Sequence, residues 1–224
     1  YAEELAEKLR ENMPVTDGST SAIPLDASIR AAVFDVPYEE AEKQVTHTTT
    51  YGSFDRLLKG ECNFVFNLLL SDAQLERAAS RNVQVEQTRI AREGFVFLVS
   101  RDNPVDSLTV EQIKGIYSGQ ITNWSEVGGE DMPITAYQRN EDSGSQNFMK
   151  EFMGDTPLTD APTVLRPSMM NTLVDVVAAY DGESGGIGYS VYSYVHGMYN
   201  ADNGIKLLQV NGVMPDETTI ADGS

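Results

Sequence analysis

With 224 residues, 41% of them hydrophobic, the chain can bury a substantial core as one large domain or two small ones, which excludes a disordered polypeptide. Acidic side chains outnumber basic ones 34 to 16, and the formal charge of −18 argues against nucleic acid and anionic membranes as partners. No apolar run is long enough to cross a bilayer, and residues 1–12 read as a charged amphipathic helix and not as a signal peptide, so a soluble chain is expected.

In chain order, apolar spacing predicts helices near residues 2–12, 25–33, 53–59, 72–80, 110–117, 144–153, 171–180 and 189–196. Strand-like runs fall between them. Those at 62–70 and 94–100 are nearly continuous in apolar residues, as expected of strands covered on both faces. This alternation predicts an α/β chain with largely parallel sheets. The lone Cys62 lies in the first of these runs and reads as a buried small hydrophobe with no internal disulfide open to it. Thr109 with Gln112, and Asn123 with Glu126, read as helix starts; Gly119 reads as a stop, and Trp124 as a core residue. No linker, repeat or low-complexity tract marks a boundary.

Hydroxyls precede a helix three times. Gly18, Ser19, Thr20 and Ser21 stand before Pro24; Thr48, Thr49 and Thr50 stand before Phe54; Ser143, Gly144 and Ser145 stand before Phe148. Capping alone accounts for Ser and Thr at such positions, and β preference alone accounts for the threonine run. The third cluster adds Arg139, a permanently charged forked donor, and Ser143 with Gln146 fits a capping box that leaves the Ser143 proton free for a ligand. Helix N-termini carry unpartnered N–H groups and partial positive charge, so converging starts of this kind suit an oxyanion. The overall negative charge does not prevent this, because surface charge is screened within about 8 Å.

Other chemistry finds less support. No G-x-S-x-G elbow occurs, and only His47 and His196 are present to serve a serine nucleophile as base. Both histidines read more simply as structural or solvated residues, and Asp181 with Glu183 as a solvated turn. Metal-type Cys and His spacing is absent from the sequence, and no cofactor motif appears.

Four segments together resemble the phosphate-binding proteins of bacterial phosphate ABC transporters, a periplasmic-type solute-binding family. They are Asp17 to Thr20 with Pro24; the block from Asn103 through Trp124 to Gly129; Arg139 to Ser145; and Gly186 to Tyr189. The resemblance implies a two-lobed type II binding-protein fold with an anion cleft and two crossing strands, near Phe95 to Ser100 and near Gly186 to Tyr189. It places residues 1–96 plus 188–224 in lobe I and 97–187 in lobe II. It further implies phosphate as ligand, an ABC transporter permease as partner and an extracytoplasmic location. The matching ligand positions are Thr20, Ser21, Thr50, Arg139, Ser143, Gly144 and Ser145, with Ser19, Asn67 and Glu141 as additional candidates; Glu141 is expected to steady the guanidinium. The buried Asp by which the family selects a protonated ligand should lie near Asn67 or Leu68, where no carboxylate stands. A sulfate-like oxyanion therefore remains an alternative ligand, and an anion sensor or docking module an alternative role.

Overall fold

The computed structural model describes residues 2–161, 166–167, 169–179, 185–198 and 204–223. Asp181 and Glu183 lie outside the described residues. The backbone groups into two compact units, Tyr1–Gln87 with Asp142–Gly144, and Thr88–Glu141 with Ser145–Ser224.

The first unit runs α1 (Ala2–Glu11), β1 (Thr16–Gly18), a 3-10 turn (Thr20–Ala22), α2 (Ile23–Phe34), α3 (Tyr38–Glu42), α4 (Thr50–Leu58), β2 (Phe64–Phe66) and α5 (Asp72–Ser80). β1 and β2 pair in parallel, with Thr16 opposite Phe64 and Gly18 opposite Phe66. Phe54, Leu58 and Ala78 form a small core against Leu57, Leu70, Val83 and Val85. Pro24 sits in the first turn of α2, where its missing N–H costs nothing, and a Ser71/Gln74 capping box starts α5. Cys62 is a buried free thiol. The strand expected over 62–70 ends at Phe66, because the Asn67 side chain turns to bond Ser53 and Thr50 of α4.

The second unit contains β3 (Phe95–Ser100), β4 (Ser107–Leu108), α6 (Val110–Tyr117), a 3-10 turn (Trp124–Val127), β5 (Ile134–Ala136) and α7 (Gly144–Met153), whose first residue groups with the first unit. It continues with α8 (Met170–Ala178), β6 (Gly185–Val191), a π-helical turn (Tyr194–Met198), β7 (Ile205–Leu207), β8 (Gln209–Val210) and α9 (Glu217–Asp222). Its main sheet has the order β5-β6-β3-β7. β5 and β6 are parallel, but β6 and β7 both run antiparallel to β3, so this sheet is mixed and not largely parallel.

β3 explains its own apolar run. Phe97 and Val99 face a core of Ile113, Tyr117, Trp124, Met149, Ile187 and Tyr189, while Val96 and Leu98 face Leu173, Val174, Val177 and Val195. Each such buried side chain contributes roughly 1.5–3 kcal/mol of hydrophobic stabilisation. The predicted capping boxes at Thr109/Gln112 and Asn123/Glu126 are present, and Trp124 is buried with its indole N–H donating to Gly185 O at 3.0 Å.

The helix expected over 189–196 is a strand up to Val191, with helical turns only afterwards. Its apolar residues alternate, and Tyr189 to Val191 pair with Phe97 to Phe95 of β3. Gly188 is required there, since a Cβ would lie 2.8 Å from both Leu173 Cδ2 and Val177 Cγ2 of α8. β3 pairs with β6 and β7, which keeps residues 88–96 and 188–224 with this sheet.

Candidate functional site

In the first unit, two of the three hydroxyl clusters are tied together through the backbone. Ser19 N donates to Phe66 O at 2.9 Å, Ala22 N to Ser19 O at 3.0 Å, and Thr49 N to Gly18 O at 3.2 Å. Ser19 is buried, its side chain caps no helix, and its Oγ lies 3.0 Å from Ser21 Oγ. Plain capping therefore does not account for this serine. Thr20 and Ser21 are partly exposed in the 3-10 turn.

The second cluster starts α4. Thr49 Oγ1 caps it by accepting from Gly52 N at 3.1 Å, and Thr50, the first helical residue, is buried. Thr49 has φ 123° and ψ 167°, a backbone region that is almost exclusively glycine's and costs a β-branched residue about 1–3 kcal/mol. Asn67 supports this turn: its carbonyl accepts from Ser53 Oγ at 3.1 Å and its amide approaches Thr50 O at 3.5 Å. Its side-chain acceptor is thus engaged by the protein itself.

Behind these turns stand two buried carboxylates. Asp17 accepts from Gly18 N, Thr48 N and Thr48 Oγ1, and from Arg56 Nη1 at 2.7 Å. Asp26 accepts from Thr16 Oγ1, Arg30 Nε and His47 Nε2. Burial pushes both carboxyls up, but the hydrogen bonds outweigh it and hold both below the usual carboxylate range. His47 Nδ1 meets the carbonyl, not the hydroxyl, of Ser19, so His47 does not form the base–nucleophile contact that a serine hydrolase needs. His196 is exposed and stacks on Tyr192 at 4.9 Å.

Asp142–Gly144 complete the first unit. Asp142 has φ 61° and accepts from Ser71 Oγ at 3.0 Å. Gly144 is buried, and a Cβ there would stand 2.8 Å from Leu68 Cδ1 and 3.0 Å from Thr50 Oγ1, so a larger residue would displace those side chains.

In the second unit, Arg139 is 8% exposed. Its Nε donates to Pro167 O at 3.0 Å and its Nη1 approaches the buried Ser145 Oγ at 3.4 Å. Burial lowers the guanidinium pKa, opposed by Tyr189 and Tyr194. The Arg139 backbone N–H is shared between Gln146 Oε1 at 3.0 Å and the Tyr189 hydroxyl at 2.9 Å, and Tyr189 in turn donates to Gln146. Burial pushes the Tyr189 pKa up, which keeps the phenol protonated and able to donate. Glu141 is exposed and pairs with Lys150, while Pro167, Ser145 and Met170 are among the groups that contact the guanidinium.

The sequence reading missed Asp17, Asp26 and Arg56 as supports and the Tyr189–Gln146 pair. The one available signal was the Ser143/Gln146 spacing, which marked Gln146 for a different role.

Comparison with known proteins then places the chain. Among curated proteins it is 26% identical over 218 residues to a phosphate-binding protein PstS of Staphylococcus saprophyticus, covering 93% of this chain and 65% of the relative. It is 29% identical over 136 residues to the Bacillus subtilis protein of the same name, covering 60% of this chain and 42% of the relative. The chain thus spans less than two thirds of the length of either relative. Among solved structures, one described as a phosphate ABC transporter substrate-binding protein with bound phosphate, from Clostridium perfringens, aligns with TM-score 0.66 at 23% identity, covering 93% of this chain and 80% of the other. An ABC-type phosphate transport receptor from Vibrio cholerae aligns with TM-score 0.62 at 24% identity, covering 93% and 81%. These likenesses show the fold, a mixed α/β binding-protein architecture. A model of the PBP superfamily domain matches residues 15–223, and the chain belongs to that superfamily.

Proposed function

We propose that the chain is a solute-binding protein that captures a tetrahedral oxyanion, inorganic phosphate first, outside the cytoplasm and hands it to an ABC transporter permease without chemical reaction. The names of its relatives support this reading, as phosphate-binding and transport proteins. The proposed ligand groups are Thr20, Ser21, Thr50, Arg139, Ser143, Gly144 and Ser145, with Ser19 supporting the first turn.

The observation that carries the reading is the buried Arg139 guanidinium beside the Ser145 hydroxyl in the first turn of α7. A forked cation with an adjacent hydroxyl and helix N–H groups offers an oxyanion short, charge-assisted hydrogen bonds. The Thr49 conformation supplies a second support, since strained backbone persists where a site requires it. Extracytoplasmic placement rests on the relatives; no helix among the described residues is long and apolar enough to cross a membrane.

Sulfate is the second ligand to consider. Asn67 is uncharged and its carbonyl is engaged by Ser53, so nothing at that position penalises an oxyanion without a proton. Calorimetric titration with phosphate, sulfate and an organic phosphate tests both points. Phosphate is expected to bind, and Arg139→Ala to weaken it by about 100-fold, the scale of a lost buried charge-assisted pair. Absence of heat with all three anions, or indifference to the substitution, overturns the reading.

A further inference from the structure

Both ring nitrogens of His47 face oxygen acceptors. Nδ1 lies 2.7 Å from Ser19 O, and Nε2 lies 3.1 Å from Asp26 Oδ2. A carbonyl has no proton to give. Asp26 already accepts from Thr16 Oγ1 at 2.8 Å and Arg30 Nε at 2.9 Å, the pattern of an ionised carboxylate. Both contacts are hydrogen bonds only when both ring nitrogens carry protons; in a neutral ring one lone pair faces an oxygen. The His47 side chain has no exposure and that of Asp26 has 1%, so solvent cannot replace the lost bond.

The ring also sits between two of the hydroxyl-bearing turns. It precedes Thr48, whose N–H and hydroxyl are held by Asp17, and it grips the carbonyl that opens the Thr20–Ala22 turn. We propose that His47 is a positioning residue which, as a doubly protonated imidazolium, fixes the Ser19 carbonyl and so presents Thr20 and Ser21 to the anion. This role rests on the oxyanion reading above. The charged groups around the ring are Asp26 and, bonded to the same carboxylate, Arg30 of α2; from β1, Asp17 carries the Arg56 charge next to Thr48. β2 contributes only the Phe66 ring, stacked at 6.4 Å. The positive ring adds a favourable field for an anion beside it, so its deprotonation costs affinity twice, through geometry and through charge.

The experiment pairs two measurements on the whole chain. Nitrogen-15 NMR of the imidazole in the ligand-free protein reports its protonation between about pH 5.5 and about pH 8.5. Phosphate titration of the wild type, His47→Asn and Arg139→Ala over the same range reports affinity. His47→Asn keeps a neutral donor near Ser19 O but cannot titrate, and the wild-type to variant ratio cancels the ionisation of phosphate itself. His47→Gln, which keeps a donor toward Asp26 instead, serves if the first variant fails to fold.

The ring is expected to be doubly protonated at the acid end. Wherever it is, the variant should bind phosphate about tenfold more weakly, and where the ring is neutral the two affinities should converge. A singly protonated ring at the acid end overturns the proposal, as do equal affinities while the ring is doubly protonated. If the wild type binds phosphate and Arg139→Ala abolishes binding, such a result leaves the oxyanion reading standing and removes only the role of His47. A wild type that binds neither phosphate nor sulfate overturns both.

Discussion

The two units hold their candidate ligand groups by different physics. In the first, Asp17, Asp26, Arg30, Arg56 and His47 form charge-bearing hydrogen bonds behind the hydroxyl turns. In the second, Arg139 is fixed by a neutral, buried pair, Tyr189 and Gln146, backed by aromatic contacts from Phe95 and Tyr117. The first unit has a two-stranded sheet and a small core to lean on, and ion pairing substitutes for packing. The second has a four-stranded sheet buried on both faces, and packing does the positioning. Protonation should therefore act on one unit and volume changes on the other.

The largest test of that contrast is Asp26→Asn. It strands Arg30 and His47 beside a neutral amide, and breaking a buried charge cluster costs roughly 3–5 kcal/mol. Trp124 is the one tryptophan of the chain and lies in the second unit, so its fluorescence reports that unit while far-UV circular dichroism reports both. In urea the substitution should bring forward the dichroism transition and leave the fluorescence midpoint nearly in place. Coincident shifts would show that the units do not differ in this way. Acid acts in the same direction: the carboxyls of Asp17 and Asp26 are lowered by the fold, so their stabilisation is present above the unfolded value of about 3.9 and is lost as pH falls through their lower folded values.

Tyr189→Phe sharpens the other half. It removes the hydroxyl shared with Arg139 N and Gln146 but keeps the ring, so a loss of about 1–1.5 kcal/mol should appear in the fluorescence-monitored transition. Gln146 still accepts from Arg139 N, so phosphate binding should weaken several-fold and persist. Complete loss of binding would show that the phenol has a larger role than positioning. The smallest effect is expected at Thr49→Gly. Relief of the strained backbone should outweigh the lost cap and the greater freedom of the unfolded chain, giving a gain of about 1 kcal/mol in the dichroism-monitored transition. A loss of stability would mean that the Thr49 hydroxyl matters more than the conformation it sits in.

What the sequence made legible follows the range of the forces involved. The capping boxes at Thr109 and Asn123 and the stop at Gly119 depend on residues three or four positions apart, and they stand where predicted. β3 was legible because burial on both faces leaves no polar position to break the run. Residues 189–196 were misread because Val191, Tyr194 and Val195 fit a helical face at i, i+3 and i+4, and only the pairing of Tyr189 to Val191 with β3 decides against it. α3, with the single buried residue Ala41, was too short to show a period. The His47–Asp26 and Arg56–Asp17 pairs join residues 21 and 39 positions apart, beyond any local pattern. The Thr49 conformation left no trace, because nothing about a threonine announces a glycine-like backbone.

The main sheet sets the order in which the second unit can be completed. Phe95 pairs with Val191, and Ser100 with Ile205, so the central strand waits for partners made roughly a hundred positions later. Such long-range closure is slow and leaves apolar strand edges open in the meantime. A chain with this topology cannot close its main sheet until the residues around 185–207 have been made, about a hundred positions after the central strand, and only then does the backbone of β3 gain its partners.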